Sequence, residues 1–237
     1  MRVFVAGATG VIGKRLVPRL LEAGHQVTGM TRSPERRASL EALGVECSVC
    51  DALSAEELRD AVRNARPDVV IHQLTSLPKA IDPRKIGEQL AANDILRTRG
   101  TQNLIRAAVL AGVGRVVAQS IAFAYEPVGG LVKTEEDPLW LDAPEPYRRT
   151  VRAVAELERE VTGTKEIEGI VLRYGYFYGP GTSYTPGEAP DLKVSIEGAA
   201  RATALAVEHG PPGIYNVVDD IPEVSNARAR DLLGWLP

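Results

Sequence analysis

The sequence predicts an α/β protein built on an open, doubly wound parallel sheet. Three observations predict it. Short apolar runs alternate with segments of helical spacing as far as residue 180. The runs are apolar nearly throughout, as in strands that helices cover on both faces. A glycine-rich turn, GATGVIG, follows the first run and opens the first helical segment.

Residues 3–6 read as a short strand. Residues 13–23 follow as a helix with Leu16, Val17, Leu20 and Leu21 on one side, and Gly24 closes it. Residues 26–30 are a second strand. Ser33 and Pro34 start a helix that runs to Gly44, with Pro34 suited to its first turn. Residues 45–49 are a third strand. Ser54 caps a helix over 54–64, with Glu57 three residues on as a capping box. Residues 68–73 are a fourth strand. A long helix over 87–111, a strand over 115–119, a helix over 147–162 and a strand over 170–173 continue the alternation. Such units imply right-handed β-α-β crossovers. TSYTPGEAPD then reads as a loop, 195–208 as a helix, 213–218 as a strand and 227–233 as a short helix.

The composition is that of an ordinary globular chain: 237 residues, 44% apolar and 25% charged. A net charge of −3 and scattered arginines offer no basic stripe, so no nucleic-acid partner is expected. No apolar run reaches the roughly 18 residues of a membrane span, and the first residues show no leader pattern. A cytoplasmic protein is expected. Cys47 and Cys50 form a Cys-x-x-Cys pair inside a strand, where positions three apart point to opposite faces. With no second pair in the chain, they are expected to be two buried thiols in a reducing compartment, and no metal site is expected.

The turn Gly7-Ala-Thr-Gly10-Val-Ile-Gly13 stands where a strand passes into a helix. Gly7 permits the tight turn, Gly10 lets backbone approach a pyrophosphate, and Gly13 lets helix and strand pack closely. The helix N-terminus then faces the phosphates with unpaired N–H groups. The end of the second strand selects the cofactor. A carboxylate there would bind an adenosine ribose and repel a 2′-phosphate. This chain has Thr31, Arg32 and Ser33 instead, with Arg36 and Arg37 nearby. Arginine pairs with phosphate bidentately. NADP is therefore expected over NAD, with NAD left open. Asp51 ends the third strand, placed either to accept from an adenine amino group or to cap the turn before Ser54.

These stretches together resemble the extended short-chain dehydrogenase/reductase superfamily, the NAD-dependent epimerase/dehydratase group. The resemblance rests on GATGVIG, DAL, PDVVIHQLTS, ANDILRTRGTQNLIRAAVLAGVGRVVAQS, PYRRTVRAVAELE and VLRYGYFYGPG. It implies a Rossmann-type domain over residues 1–181 and a small C-terminal substrate lobe over 182–237, interleaved with it. It extends the expected cofactor contacts to Thr9, Val11, Ile12, Ala52, Gln73, Leu74, Asn93 and Tyr174. It allows a homodimer through the helices over 87–111 and 147–162.

In that family a tyrosine moves a proton while hydride passes to or from the nicotinamide, and a lysine four residues on holds the ribose. Positions four apart share a helix face. Here Tyr147 is present, but position 151 holds valine. The family serine falls at Ile121, with Ser120 one residue early. Tyr176 aligns with a family asparagine that faces substrate. The resemblance thus implies Tyr147, Ser120 and Tyr176 as candidate catalytic residues of an atypical member. His72 reads as a hydrogen-bonded structural residue. The resemblance implies an oxidoreductase acting on a small carbonyl or alcohol, with the tyrosine-rich stretch suited to an aromatic or polyketide-like substrate. A redox-inactive NADP-binding sensor, and an epimerase, lyase or oxygenase on the same fold, stay open. The chain is also short for the family near Pro190 and Asp220. Either the lid is minimal or the native protein carries further segments there, the second being the expectation. An intact mass above 25.5 kDa would show it.

Overall fold

The structure is a computed structural model and describes residues 1–78 and 84–237. Chain order runs β1 (Arg2–Ala6), α1 (Gly13–Glu22), β2 (Gln26–Thr31), α2 (Arg37–Glu41), β3 (Glu46–Val49), α3 (Ala55–Ala65) and β4 (Val69–His72). It continues with α4 (Ile86–Ile95), α5 (Thr101–Leu110), β5 (Arg115–Ile121), α6 (Tyr147–Gly163), β6 (Glu168–Tyr174) and β7 (Tyr176–Tyr178). The last elements are β8 (Lys193–Ser195), α7 (Ile196–Glu208), β9 (Gly213–Val217) and α8 (Ala227–Leu233).

Seven strands form one parallel sheet in the order β3-β2-β1-β4-β5-β6-β9. The order reverses between β1 and β4, and such switch points open a crevice at the carboxyl ends of the strands. Alternate residues of each strand feed two cores. Val3, Val5 and Ile71 pack with Leu16, Leu20, Ala199 and Trp235 under α1 and α7. Phe4, Val70 and Val116 pack with Leu58, Leu104 and Leu157 under α3, α5 and α6. Every central strand is therefore apolar on both faces, which explains the unbroken apolar runs. The chain beyond residue 181 returns to this body. β9 extends the sheet beside β6, and α7 packs on α1.

Local details differ from the sequence reading. Residues 34–36 form a 3₁₀ turn, and only 37–41 are α-helical. The helix over 87–111 is interrupted by a π-helical turn over Leu96–Gly100. The capping box is half formed. The Glu57 N–H donates to Ser54 Oγ at 3.4 Å, but the Glu57 carboxylate accepts from the Asp51 N–H at 3.0 Å. Cys50 is buried, which pushes its thiol up to about 11, while Cys47 is only half-buried because β3 is the edge strand. β7 and β8, a separate parallel pair, were not foreseen as a sheet. Among the described residues there is no metal-ligating cluster, and no helix is long and apolar enough to cross a membrane.

Candidate functional site

The site begins where β1 ends. Gly7 has φ +96°, and a Cβ there would stand 2.5 Å from the Gln73 carbonyl oxygen. A Cβ on Gly13 would stand 2.4 Å from the carbonyl oxygens of Gly7 and Ala8. Neither position accepts a side chain. The Gly10 N–H closes the turn on the Gly7 carbonyl at 3.0 Å. No side chain caps α1. Among the described residues no acceptor meets the N–H groups of Val11, Ile12 or Gly13. Open donors at the positive end of a helix make an anion site.

Polar groups gather at the end of β2. The Oγ1 atoms of Thr9 and the buried Thr31 lie 3.5 Å apart. Thr31 Oγ1 also accepts the Ser33 N–H at 3.2 Å, and Arg36 Nη1 donates to Thr9 Oγ1 at 3.3 Å. Arg32 is exposed and, among the described residues, has no partner. The sequence marked Arg36 only as nearby; the structure brings it against the glycine turn. Arg37 turns away to Glu41 at 3.7 Å. Asp51 Oδ1 accepts the Leu53 N–H at 3.0 Å and so caps its own turn, the second of its two readings. Ala52 is buried, and its carbonyl accepts from Asn103 at 3.0 Å.

β4 delivers His72, Gln73 and Leu74. The Leu74 N–H donates to His72 Nδ1 at 3.3 Å, so the proton sits on Nε2 and is donated to Thr101 Oγ1 at 2.9 Å. Burial first, and the Arg97 charge second, push His72 down to about 4 from an ordinary 6.5. Its folded value lies below the unfolded one, so this stability is complete above pH 6.5 and is lost as pH falls towards 4. The loss is expected to reach about 3 kcal/mol. Urea melts at pH 7 and pH 4.5, compared between wild type and His72→Asn, would show it as a pH slope that the variant lacks.

Gln73 Oε1 and Asn93 Nδ2 are buried without a partner, while Asn93 Oδ1 accepts the Ser76 N–H at 3.0 Å. Tyr174 is buried. Its side chain is in the core, with its hydroxyl on Thr203 Oγ1 at 2.7 Å and its phenol pushed up to about 12 by burial. It does not present its hydroxyl to the crevice.

The candidate catalytic residues separate. Ser120 is buried, and its Oγ donates to Glu158 Oε1 at 2.6 Å. It therefore belongs to an internal network with Arg173, because alternation along β5 turns position 120 towards α6. Tyr147 opens α6 and is 50% exposed. Tyr176 stacks on the exposed Phe123 with centroids 4.3 Å apart and planes 10° apart, and Tyr184 meets Tyr176 edge-on at 6.2 Å. Tyr147 acts electrostatically on Tyr176, whose phenol is raised chiefly by burial. Val151 is buried in an apolar cluster with Ala124 and Ala143, so α6 offers no cation at that position. Arg148 and Arg152 are spent on the Ala143 and Leu141 carbonyls. The concavity walled by Asp220, Ile221, Asn226 and Arg230 contains none of these residues.

The residues present fit a dinucleotide: a turn that excludes side chains, open N–H groups, a hydroxyl-arginine corner and unpartnered polar atoms at the head of β4. Fold and site together define a nucleotide-binding α/β protein. The family model for the NAD dependent epimerase/dehydratase family matches residues 3–194. The chain belongs to that family, among the extended short-chain dehydrogenases/reductases, and is an NAD(P)-dependent oxidoreductase or epimerase. It is 43% identical to a 3-diazoavenalumate denitrifying reductase of a Streptomyces species over 256 residues, covering 100% of this chain and 80% of the relative. That alignment is longer than the chain, so the relative carries internal residues that this chain lacks. A 2-alkyl-3-oxoalkanoate reductase of Stenotrophomonas maltophilia is 32% identical over 187 residues, 76% of this chain and 52% of that protein. Among solved structures, the yeast methylglyoxal/isovaleraldehyde reductase complexed with NADPH superposes with TM-score 0.78 at 17% identity, covering 100% and 94% of the two chains. The UDP-glucose 4-epimerase of Thermotoga maritima gives 0.77 at 20%, with the same coverage. These two likenesses bear on the fold alone.

Proposed function

We propose that this chain is an NADP-preferring oxidoreductase of the cytoplasm that acts on a carbonyl or alcohol of a small, flat organic molecule. The observation that carries it is the exposed Tyr147 beside the stacked Phe123–Tyr176 pair at the carboxyl edge of the sheet. A stacked pair with an edge-on third ring is a surface for an aromatic or planar substrate. A bound dinucleotide would supply or accept the hydride. In the reducing direction the Tyr147 hydroxyl gives its proton to the substrate oxygen and recovers one from solvent, which reaches half its surface. Thr9, Thr31, Arg32, Ser33 and Arg36 favour a 2′-phosphate. Two relatives named as reductases support the same direction of chemistry.

The test is steady-state NADPH oxidation over a panel of aryl and alkyl carbonyls. Tyr147→Phe is expected to lower kcat about 100-fold or more while NADPH affinity stays within twofold, as for the loss of a general acid. Equal turnover by the variant would remove Tyr147 from the reaction. The second reading, a redox-inactive dinucleotide-binding protein, is favoured by the buried valine at 151. No consumption with any carbonyl, combined with tight NADPH binding, would select it.

A further inference from the structure

The π-helical turn over Leu96–Gly100 packs against α6 and carries Arg97, an arginine 7% exposed. Among the described residues no hydrogen bond or ion pair holds its guanidinium. Among the described residues the carboxylate that acts on it is Asp94, one turn earlier. Asp94 makes its bonds elsewhere: its Oδ2 accepts Arg149 Nε at 3.1 Å and Thr150 Oγ1 at 3.2 Å, and its Oδ1 is left without a partner. A buried, unpaired guanidinium is costly, and proteins keep one where a ligand completes it.

Its place in the fold says what that ligand is. A helical side chain leans back towards the helix N-terminus, which sets the Arg97 head at the level of Asn93 and Asp94. Asp94 bonds Thr150, the neighbour of Val151, and Arg97 also acts on His72 at the head of β4. The head group thus lies between β4 and the first turns of α6, on the side where position 151 lacks its lysine. Around it stand further unpartnered buried atoms: Asn93 Nδ2, a donor, and Gln73 Oε1 and Asp94 Oδ1, acceptors. An anion would use donors only. A sugar diol both donates and accepts, and satisfies the mixed set.

The geometry points to Arg97 as the cation that takes over, from a facing helix, the work of the absent lysine: holding the nicotinamide ribose hydroxyls. This rests on the dinucleotide reading above. Arginine stays protonated, so it orients and charges the site and does not relay a proton.

Calorimetric titration with NADPH and with 2′,5′-ADP, which lacks the nicotinamide ribose, tests this. Arg97→Gln is expected to weaken NADPH 10- to 100-fold and leave 2′,5′-ADP within twofold, which also certifies its fold. Val151→Lys added to Arg97→Gln is expected to recover at least tenfold of the loss. Unchanged NADPH affinity in Arg97→Gln, equal loss of both ligands, or no recovery by the lysine would overturn the assignment. A wild type that binds 2′,5′-ADP but gains nothing from the rest of NADPH would overturn it too. A wild type that binds neither ligand would instead remove the dinucleotide reading beneath it.

Discussion

Glu158→Ala is expected to cost about 3–5 kcal/mol, the penalty of stranding a buried charge. Glu158 and Arg173 are 6% and 4% exposed at their side chains and form a bidentate pair, Nε to Oε1 at 2.8 Å and Nη2 to Oε2 at 2.6 Å. Burial opposes the Arg173 charge, but the Glu158 bonds outweigh it and hold the guanidinium protonated. The pair is the centre of a longer network. Ser120 donates to Glu158, and Arg173 lies 4.8 Å over the Tyr125 ring. The Tyr125 hydroxyl donates to Asn216 Oδ1 at 2.7 Å, and the Asn216 N–H donates to Glu135 at 2.7 Å. Glu158 therefore ties α6 to β5 and β6, and the network reaches β9 through Tyr125 and Asn216. For a chain of this size each kcal/mol moves Tm by roughly 2–4 °C, so thermal melts should fall by roughly 6–20 °C. Glu158→Gln, which keeps shape and part of the bonding, should lose less. A melt unchanged by Glu158→Ala would mean that Arg173 finds another partner.

Thr31→Asp is expected to reverse the cofactor preference. The carboxylate would stand at the end of β2 beside Thr9, where the 2′-phosphate is proposed to sit, and would repel it while accepting from a ribose hydroxyl. Losing charge-assisted bonds to Arg32 and Arg36 in that corner costs about 1.5–3 kcal/mol. NADPH affinity should therefore fall 10- to 100-fold while NADH affinity holds or rises. Parallel titrations would show it. An unchanged NADPH affinity would mean that the phosphate binds elsewhere.

Much of the frame was legible because its signals are local. The glycine turn, Gly24 and the alternation of apolar runs need only neighbours along the chain to be read. What was not legible depends on distant partners. Glu158, in AELERE, looks like one charge of a solvated helix face, and only Arg173 across the sheet makes it a buried ion pair. Ser120 stands one residue before the family position, and only Glu158, distant in sequence, shows that its hydroxyl is bonded inside the core. The π turn leaves no trace in the sequence, since apolar spacing runs through Leu96, Leu104 and Ile105 without a break. In the sequence Arg97 therefore reads as one arginine among several. β7 and β8 have three residues each, too few for a period to show.

The measurement that tests the account most directly is a fluorescence titration of the intact protein with NADPH and, in parallel, NADH. The account predicts saturable binding of NADPH at least tenfold tighter than NADH. Tighter binding of NADH, or binding of neither, would contradict it.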